Sequence, residues 1–275
     1  MATFSADELD WLVSTLAQAA AEEIMPRFGR LAVSQVRIKT SSFDIVTDAD
    51  EACERAIARQ LRARFPGAVV IGEEAAGRDP GLLDALESAD LAFLIDPLDG
   101  TRNFASGLPL FGVMAAAVVR GEVVAGVILD PVSGTTALAR AQEGAWMQDR
   151  SGARVRMHVA DPVPVAEMEG IAGTNFLPPP LKMQVNANLS RLRMTNWFRC
   201  AAHEYRLAAA GHCHILFYNR LMPWDHAAGW LLHREAGGYS AHFDGRPYAP
   251  SHTSGGLLYA PDRLAWEVVH AALFT

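Results

Sequence analysis

Asp96-Pro97-Leu98-Asp99-Gly100-Thr101 places two carboxylates three residues apart where an apolar run, Leu91 to Ile95, stops. Hard divalent cations take oxygen ligands, and Mg²⁺ held by a few carboxylates and by substrate phosphate is the usual arrangement for phosphoryl chemistry. The same stretch is also a good turn, with Pro97 setting φ and Gly100 accepting positive φ, and taken alone the two readings stand even. Other acids bear on the choice. Ala68-Val69-Val70-Ile71-Gly72 reads as a short buried strand running into Glu73-Glu74, and Asp225 precedes an alanine-rich segment at an expected helix N-cap. An isolated Asp there is most simply a cap. Glu73, Asp96, Asp99 and Asp225 nevertheless each begin or end a regular element, where rigid scaffolds present catalytic side chains.

Several elements must position these acids. Ser5 to Glu8 is a capping-box start, followed by apolar residues at helical spacing from Leu9 to Ala20, with Pro26 and Gly29 as stops. A second helix fits Asp48 to Phe65, capped by Thr47-Asp48, with Pro66-Gly67 behind it. Residues 111–148 read as an antiparallel meander with an Arg120-Gly121 turn. Five prolines between Asp161 and Pro180 predict a domain transition near Ala160, giving an α+β portion over 1–160 and an α/β portion over 161–275. In the second portion, strands are expected at Thr195–Cys200 and Ile215–Tyr218, and helices at His203–Ala210, His226–Ala236 and Asp262–Leu273.

Composition narrows the classes. The 275 residues are 50% hydrophobic and 20% charged, enough for a sizeable core, and the net charge of -7 argues against nucleic acid or an anionic membrane as main partner. The N-terminal residues carry no secretory pattern and no apolar run reaches membrane-spanning length. Cys53, Cys200 and Cys213, odd in number and scattered, fit reduced thiols, so a cytoplasmic protein is expected.

Four ordered blocks resemble the inositol monophosphatase family of Mg²⁺-dependent, lithium-sensitive sugar phosphatases. They are Lys39-Thr40-Ser41-Ser42 with Asp44 to Asp50; Ile71-Gly72-Glu73-Glu74; Ile95 to Phe104; and Trp224 to Gly229 with Glu235-Ala236-Gly237-Gly238. The resemblance implies an α/β (α+β) layered sandwich with αβαβα layers, the site between its two portions, and a homodimer. It implies that Glu73, Asp96 and the Leu98 carbonyl hold one Mg²⁺ while Asp96, Asp99 and Asp225 hold a second, with two or three ions per site. Thr101, with Asp50 behind it and Glu73 beside it, would then position and activate the attacking water, and the Gly100 and Thr101 amides would face a phosphate oxygen. The implied activity is hydrolysis of a small polyol or sugar phosphate by in-line attack. Histidinol phosphate, a nucleotide 3'-phosphate, or a non-catalytic regulatory dimer are the alternatives.

Substrate contacts are expected from Gly100, Thr101, Lys39, Ala201, Tyr218 and Arg199. Lys39, on a loop over the metal site, could pair with phosphate or be a solvated lysine. Tyr218 replaces the glutamate that inositol-hydrolysing members carry seven residues before the last Asp ligand. Arg199-Cys200 replaces a small Gly-Ser or Gly-Thr pair, and Arg102 is a further basic change; all three separate substrate identity from reaction class. Glu74, in an extended segment, should point away from the site. His212-Cys213-His214, on a strand, is discounted as a metal clip, and His226 and the tryptophans at 11, 146, 197, 224 and 230 are assigned to packing.

Overall fold

The computed structural model describes residues 4–30, 35–41 and 44–275; Ser42 of the first quoted block lies outside them. A hairpin of β1 (Val36–Ser41) and β2 (Asp44–Thr47) precedes a seven-stranded sheet. That sheet comprises β3 (Val69–Gly72), β4 (Ala92–Asp99), β5 (Gly112–Val119), β6 (Glu122–Asp130), β7 (Thr135–Arg140), β8 (Gly144–Gln148) and β9 (Arg154–Arg156), lying side by side in chain order. Only β3 and β4 run parallel; the rest is the expected meander, extended by the short exposed strand β9 that carries no apolar pattern.

A second sheet has the order β11-β10-β12-β14-β13, from β10 (Glu169–Ala172), β11 (Met194–Asn196), β12 (Ile215–Tyr218), β13 (Tyr239–His242) and β14 (Leu257–Ala260). The strand expected over Thr195–Cys200 is three residues long and ends at Asn196, because Cys200 already caps the next helix.

The helices are α1 (Ala6–Ala19), α2 (Asp48–Arg64), α3 (Glu73–Arg78), α4 (Thr101–Ala105), α5 (Pro179–Leu189), α6 (Ala201–Ala209), α7 (Pro223–Glu235) and α8 (Arg263–Phe274). They complete five layers. Along β4, Phe93 and Ile95 face α1 and α2 while Ala92 and Leu94 face α6 and α7, the two-residue alternation of a strand buried on both faces. Helices α6 and α7 also pack on the second sheet through Leu216 and Tyr259, and that sheet's outer face, including Phe217 and Leu258, packs on α5 and α8. The αβαβα sandwich is therefore the observed fold.

A middle helical layer pressed between two sheets needs small residues. A Cβ on Gly126 of β6 would stand 2.8 Å from the Ala228 carbonyl oxygen of α7, so the two backbones touch only because that position is glycine. We keep the division at residue 160 as a proposal, since α6 and α7 contribute to one core with both sheets. No helix among the described residues is long and apolar enough to cross a membrane.

Candidate active site

Strand register brings the first two acids together. Parallel β3 and β4 pair Ile71 with Leu94 and Gly72 with Ile95, so Glu73 and Asp96 leave neighbouring strands at the same level. The β4–β5 ladder then shifts between Asp96 and Asp99, a bulge at Pro97-Leu98 that re-aims the strand end. Gly100, at φ 85, turns the chain from β4 into α4, a conformation that favours glycine. Asp225 arrives from α7. It is not the N-cap expected from sequence: Met222 is, because Pro223 and Trp224 occupy the first two helical positions and Asp225 the third. A first-turn carboxylate still faces the helix's positive end.

Glu74 also departs from expectation. Glu73 and Glu74 open α3 instead of continuing the strand, and Glu74 is buried at 6% exposure. The turn is held by Glu54 of α2, whose carboxylate accepts from the Glu74 amide at 2.7 Å and the Ala75 amide at 2.9 Å. Sequence reading passed over Glu54, which looks like any polar residue on an amphipathic helix. Lys39 lies on β1, not on a loop, and is not solvated: its Nζ donates to Glu73 Oε1 at 2.8 Å and Glu74 Oε1 at 2.6 Å. Burial alone would depress its ammonium, but Glu73 and then Glu74 overcome that and raise it.

Around these groups the carboxylates are crowded. Asp96 accepts from the Leu98 amide at 3.0 Å, and its carboxyl lies close enough to that of Asp225 for each to act on the other. Burial, then repulsion from Glu73, Asp99 and Asp225, pushes Asp96 well above the usual carboxylate range. Burial and repulsion from Glu73 and Asp99 do the same to Asp225. Asp99 rises to about 6, chiefly through burial, although its Oδ2 accepts from the Ala202 amide at 2.5 Å and the Cys200 thiol at 3.0 Å, with the Ala201 amide beside it. Four acids from three elements thus lie together, with Lys39 on Glu73 and Arg220 acting on Asp225 as nearby cations.

Thr101 and Asp50 form a second unit. Thr101 Oγ1 lies 2.9 Å from Asp50 Oδ1 and 3.0 Å from the Leu98 carbonyl, and its single proton can serve either. Asp50, almost fully buried, also accepts from the Thr47 amide at 2.8 Å and the Thr47 hydroxyl at 2.5 Å, reciprocating the Thr47 cap of α2. Burial pushes Asp50 up to about 6.

The donor set fits a hard divalent cation. It is all oxygen, it includes a backbone carbonyl at Leu98, and its raised proton affinities reflect negative charge that a cation would relieve. Among the described residues no three His, Cys, Asp or Glu side chains already converge as a closed cage. The reasons are local: Glu73 is turned to Lys39, Asp99 to Cys200 and Ala202, and Asp96 to Asp225.

A cavity of about 820 Å³ opens over this floor. Glu73, Asp99, Gly100, Thr101 and Asp225 line its inner end, and Arg199, Ala201 and Tyr218 line it too, as does Arg102. Lys39, Asp50, Asp96 and Leu98 stand behind the lining. The Tyr218 hydroxyl is buried and senses Glu204 without closing a hydrogen bond of good geometry. Glu204 of α6, pushed to about 7 by burial, anchors the Phe198 amide at 3.1 Å; nothing in its helical context marks it in sequence.

Of the residues set aside, His226 is buried between the Arg220 carbonyl and the Tyr205 hydroxyl, 2.9 Å from each, and burial depresses it to about 4. His212 to His214 precede β12 instead of lying on a strand, and His214 accepts from the Glu169 amide. Trp197 is 46% exposed and lines the cavity, contrary to its assignment to packing.

A model of the inositol monophosphatase family matches residues 6–273. The chain is 31% identical over 242 residues to the fructose-1,6-bisphosphatase/inositol-1-monophosphatase of Thermotoga maritima, covering 87% of this chain and 86% of the relative. It is 32% identical over 265 residues to the Nus factor SuhB of Pasteurella multocida, covering 92% and 91%. Among solved structures, an inositol monophosphatase of Thermotoga maritima matches with a TM-score of 0.81 at 28% identity, covering 97% of this chain and 96% of the other.

Proposed function

The chain belongs to the inositol monophosphatase family and is a phosphoric monoester hydrolase, and on that premise we propose that it hydrolyses a small polyol or sugar phosphate with Mg²⁺ bound. The observation that supports the reading is that Glu73, Asp99 and Asp225, from α3, β4 and α7, line one cavity, with Asp96 of β4 buried behind them and acting on all three. Glu73, Asp96, the Leu98 carbonyl, Asp99 and Asp225 would hold the metal. When bound, Mg²⁺ supplies charge neutralisation at the phosphoryl oxygens and a more acidic water.

The chain's own groups do the rest. With its proton given to Asp50, the Thr101 oxygen is left as an acceptor, which orients a water toward the phosphorus. Glu73, beside that position, receives the water's proton. The Gly100 and Thr101 amides, at the start of α4, face a phosphoryl oxygen, and no protein nucleophile is required. Lys39, behind the lining, pairs with Glu73 and Glu74 and thereby orients Glu73. The reading includes a cytoplasmic homodimer, for which light scattering is the direct check of assembly.

Phosphate release from a panel of esters, with Mg²⁺ and with added Li⁺, tests the reaction, the metal and the specificity together. Metal-dependent release from at least one polyol or sugar phosphate, inhibited by Li⁺, is expected. Folded protein that releases phosphate from no ester under any of these conditions would overturn the reading.

A further inference from the structure

The start of α6 is capped by a residue distant in sequence. Cys200 is the N-cap, but its side chain makes no capping bond to the helix. Asp99, at the end of β4, takes that place: its Oδ2 accepts from the Ala202 amide at 2.5 Å and the Cys200 thiol at 3.0 Å, with the Ala201 amide beside them. A carboxylate there also meets the positive end of the helix. Neither the thiol nor the Ala202 amide engages Oδ1, which leaves that oxygen for the cavity that Asp99 lines.

Close approach makes this contact possible. Asp99 pairs with Gly112 across the β4–β5 ladder. A Cβ on Gly112 would stand 2.5 Å from the Ala202 Cβ, and one on Gly100 would stand 3.2 Å from the Cys200 Sγ, so glycines beside and opposite Asp99 let the first turn of α6 press on it. The segment leading into α6 is anchored as well. Glu204 Oε1 accepts from the Phe198 amide at 3.1 Å, and Asn103 Nδ2 of α4 donates to the Phe198 and Leu110 carbonyls, at 2.8 Å each. Arg199, between Phe198 and Cys200, sits at φ 58, left-handed backbone that a non-glycine residue keeps only where its surroundings hold it. Here both its neighbours are tied down, and the turn that presents Cys200 to Asp99 is rigid.

A buried cysteine is by default a small apolar filler. Cys200 differs in that its sulfur stands 3.0 Å from a carboxylate oxygen and its one proton points the bond at Asp99. We infer that Cys200 is a positioning residue for Asp99: together with the Ala202 amide it fixes Oδ2, and by holding the carboxylate in one orientation it sets how tightly Asp99 grips a cation. A hydrogen bond to an ionised acceptor is about twice as strong as a neutral one, and losing a group that orients a ligating side chain costs about 10- to 100-fold in metal affinity. The inference rests on the phosphatase reading above and adds to it a group that acts through Asp99. Because Arg199, Cys200 and Ala201 also line the cavity, the same turn joins Asp99 to the cavity wall.

The test reads Mg²⁺ binding without substrate, by competition with Tb³⁺ luminescence, alongside the Mg²⁺ dependence of phosphate release. Cys200→Ala should raise the half-saturating Mg²⁺ concentration about tenfold in both readouts, with kcat at saturating Mg²⁺ within about threefold of wild type and KM for the ester unchanged. Cys200→Ser, which returns a donor, should bring half-saturation back to within about threefold of wild type. A filler would show instead as a lower urea midpoint of metal-free Cys200→Ala protein at unchanged Mg²⁺ half-saturation. That result overturns the inference and leaves the phosphatase reading standing. A Cys200→Ser protein as weak for Mg²⁺ as Cys200→Ala overturns it too, and should Cys200→Ala fail to fold, a tenfold loss of affinity in Cys200→Ser does the same. Wild-type protein that neither binds Mg²⁺ nor hydrolyses any ester overturns both readings.

Discussion

Two groups of buried polar side chains lie close together where the middle helical layer meets the two sheets, and they have opposite characters. The carboxylates Asp96, Asp99 and Asp225 repel one another, and burial drives all three upward in proton affinity. A residue away from Asp225, the His226–Tyr205–Tyr259 chain is neutral and satisfied. His226 Nε2 must donate to the Arg220 carbonyl, a pure acceptor, so Nδ1 is bare and accepts from the Tyr205 hydroxyl, which in turn accepts from the Tyr259 hydroxyl at 2.7 Å. Burial of charge without partners is costly, whereas a fully connected neutral network rigidifies its surroundings. The difference separates two roles: the mutually repelling cluster is the one proposed to take a cation, and the neutral chain holds the helix that delivers Asp225.

Removing charge from the first cluster should therefore harm catalysis and spare the fold. Asp96→Asn keeps an oxygen for the Leu98 amide and gains an NH₂ donor for Asp225. We expect kcat to fall by about 10³-fold or more, a loss of electrostatic stabilisation at the transition state, while the metal-free protein melts at the same temperature or higher. A lower melting temperature with activity retained would break the comparison. Thr101→Val should cost about 10²-fold in kcat, the size of a lost water-positioning and proton-transfer contact, and Thr101→Ser should restore most of it because the hydroxyl to Asp50 returns.

The same contrast has a pH signature. Asp50 and Asp99 are raised from 3.8 to about 6 in the fold, so the native protein binds protons more tightly than the unfolded chain. Their stabilising contribution is full below the unfolded value near 4 and is lost as pH rises through about 6. Each contributes on the order of 3 kcal/mol before screening and mutual coupling are discounted. Metal-free protein should lose stability from pH 4 to pH 7 in urea titrations, against the trend of a salt-bridged acid. Added Mg²⁺ should restore more at pH 7 than at pH 5. A flat profile without metal would show that the cluster is not strained.

Most of the acids that the structure brings together were singled out in sequence, and most of the residues that support them were not. The acids at strand ends announce themselves because an apolar run stops on each, as at Ile95-Asp96 and Ile71-Gly72-Glu73. Their mutual support comes from residues far away in the chain: Lys39 on Glu73, Glu54 on the start of α3, Cys200 and Ala202 on Asp99. Such pairings leave no local pattern. Asp225 was placed as a cap because Asp before an alanine-rich helix favours that position, yet Pro223 suits the first helical turn and moves the start upstream. The seven-stranded sheet was readable from its long runs and tight turns. In the second sheet, β10, β13 and β14 escaped notice; unlike the continuous apolar run of β12, Glu169–Ala172 and Tyr239–His242 are broken by polar or glycine residues, and all three pair with segments distant in sequence.

The smallest expected effect tests the satisfied cluster directly. Tyr205→Phe keeps the ring that packs between Tyr259, Tyr218 and the backbone of Gly229, so no cavity forms. It removes only the hydroxyl, leaving His226 Nδ1 without a donor and the Tyr259 hydroxyl without an acceptor in a fully buried setting. Two orphaned groups cost about 1–3 kcal/mol of folding stability, read as a lower urea midpoint at unchanged slope. Because the substitution removes no carboxylate, kcat of the folded enzyme should stay within about threefold of wild type, less than one lost hydrogen bond at the reacting atoms would cost. The mirror image, a 10²-fold drop in kcat with stability intact, would mean that the aromatic chain belongs to the reaction and that the two clusters are one.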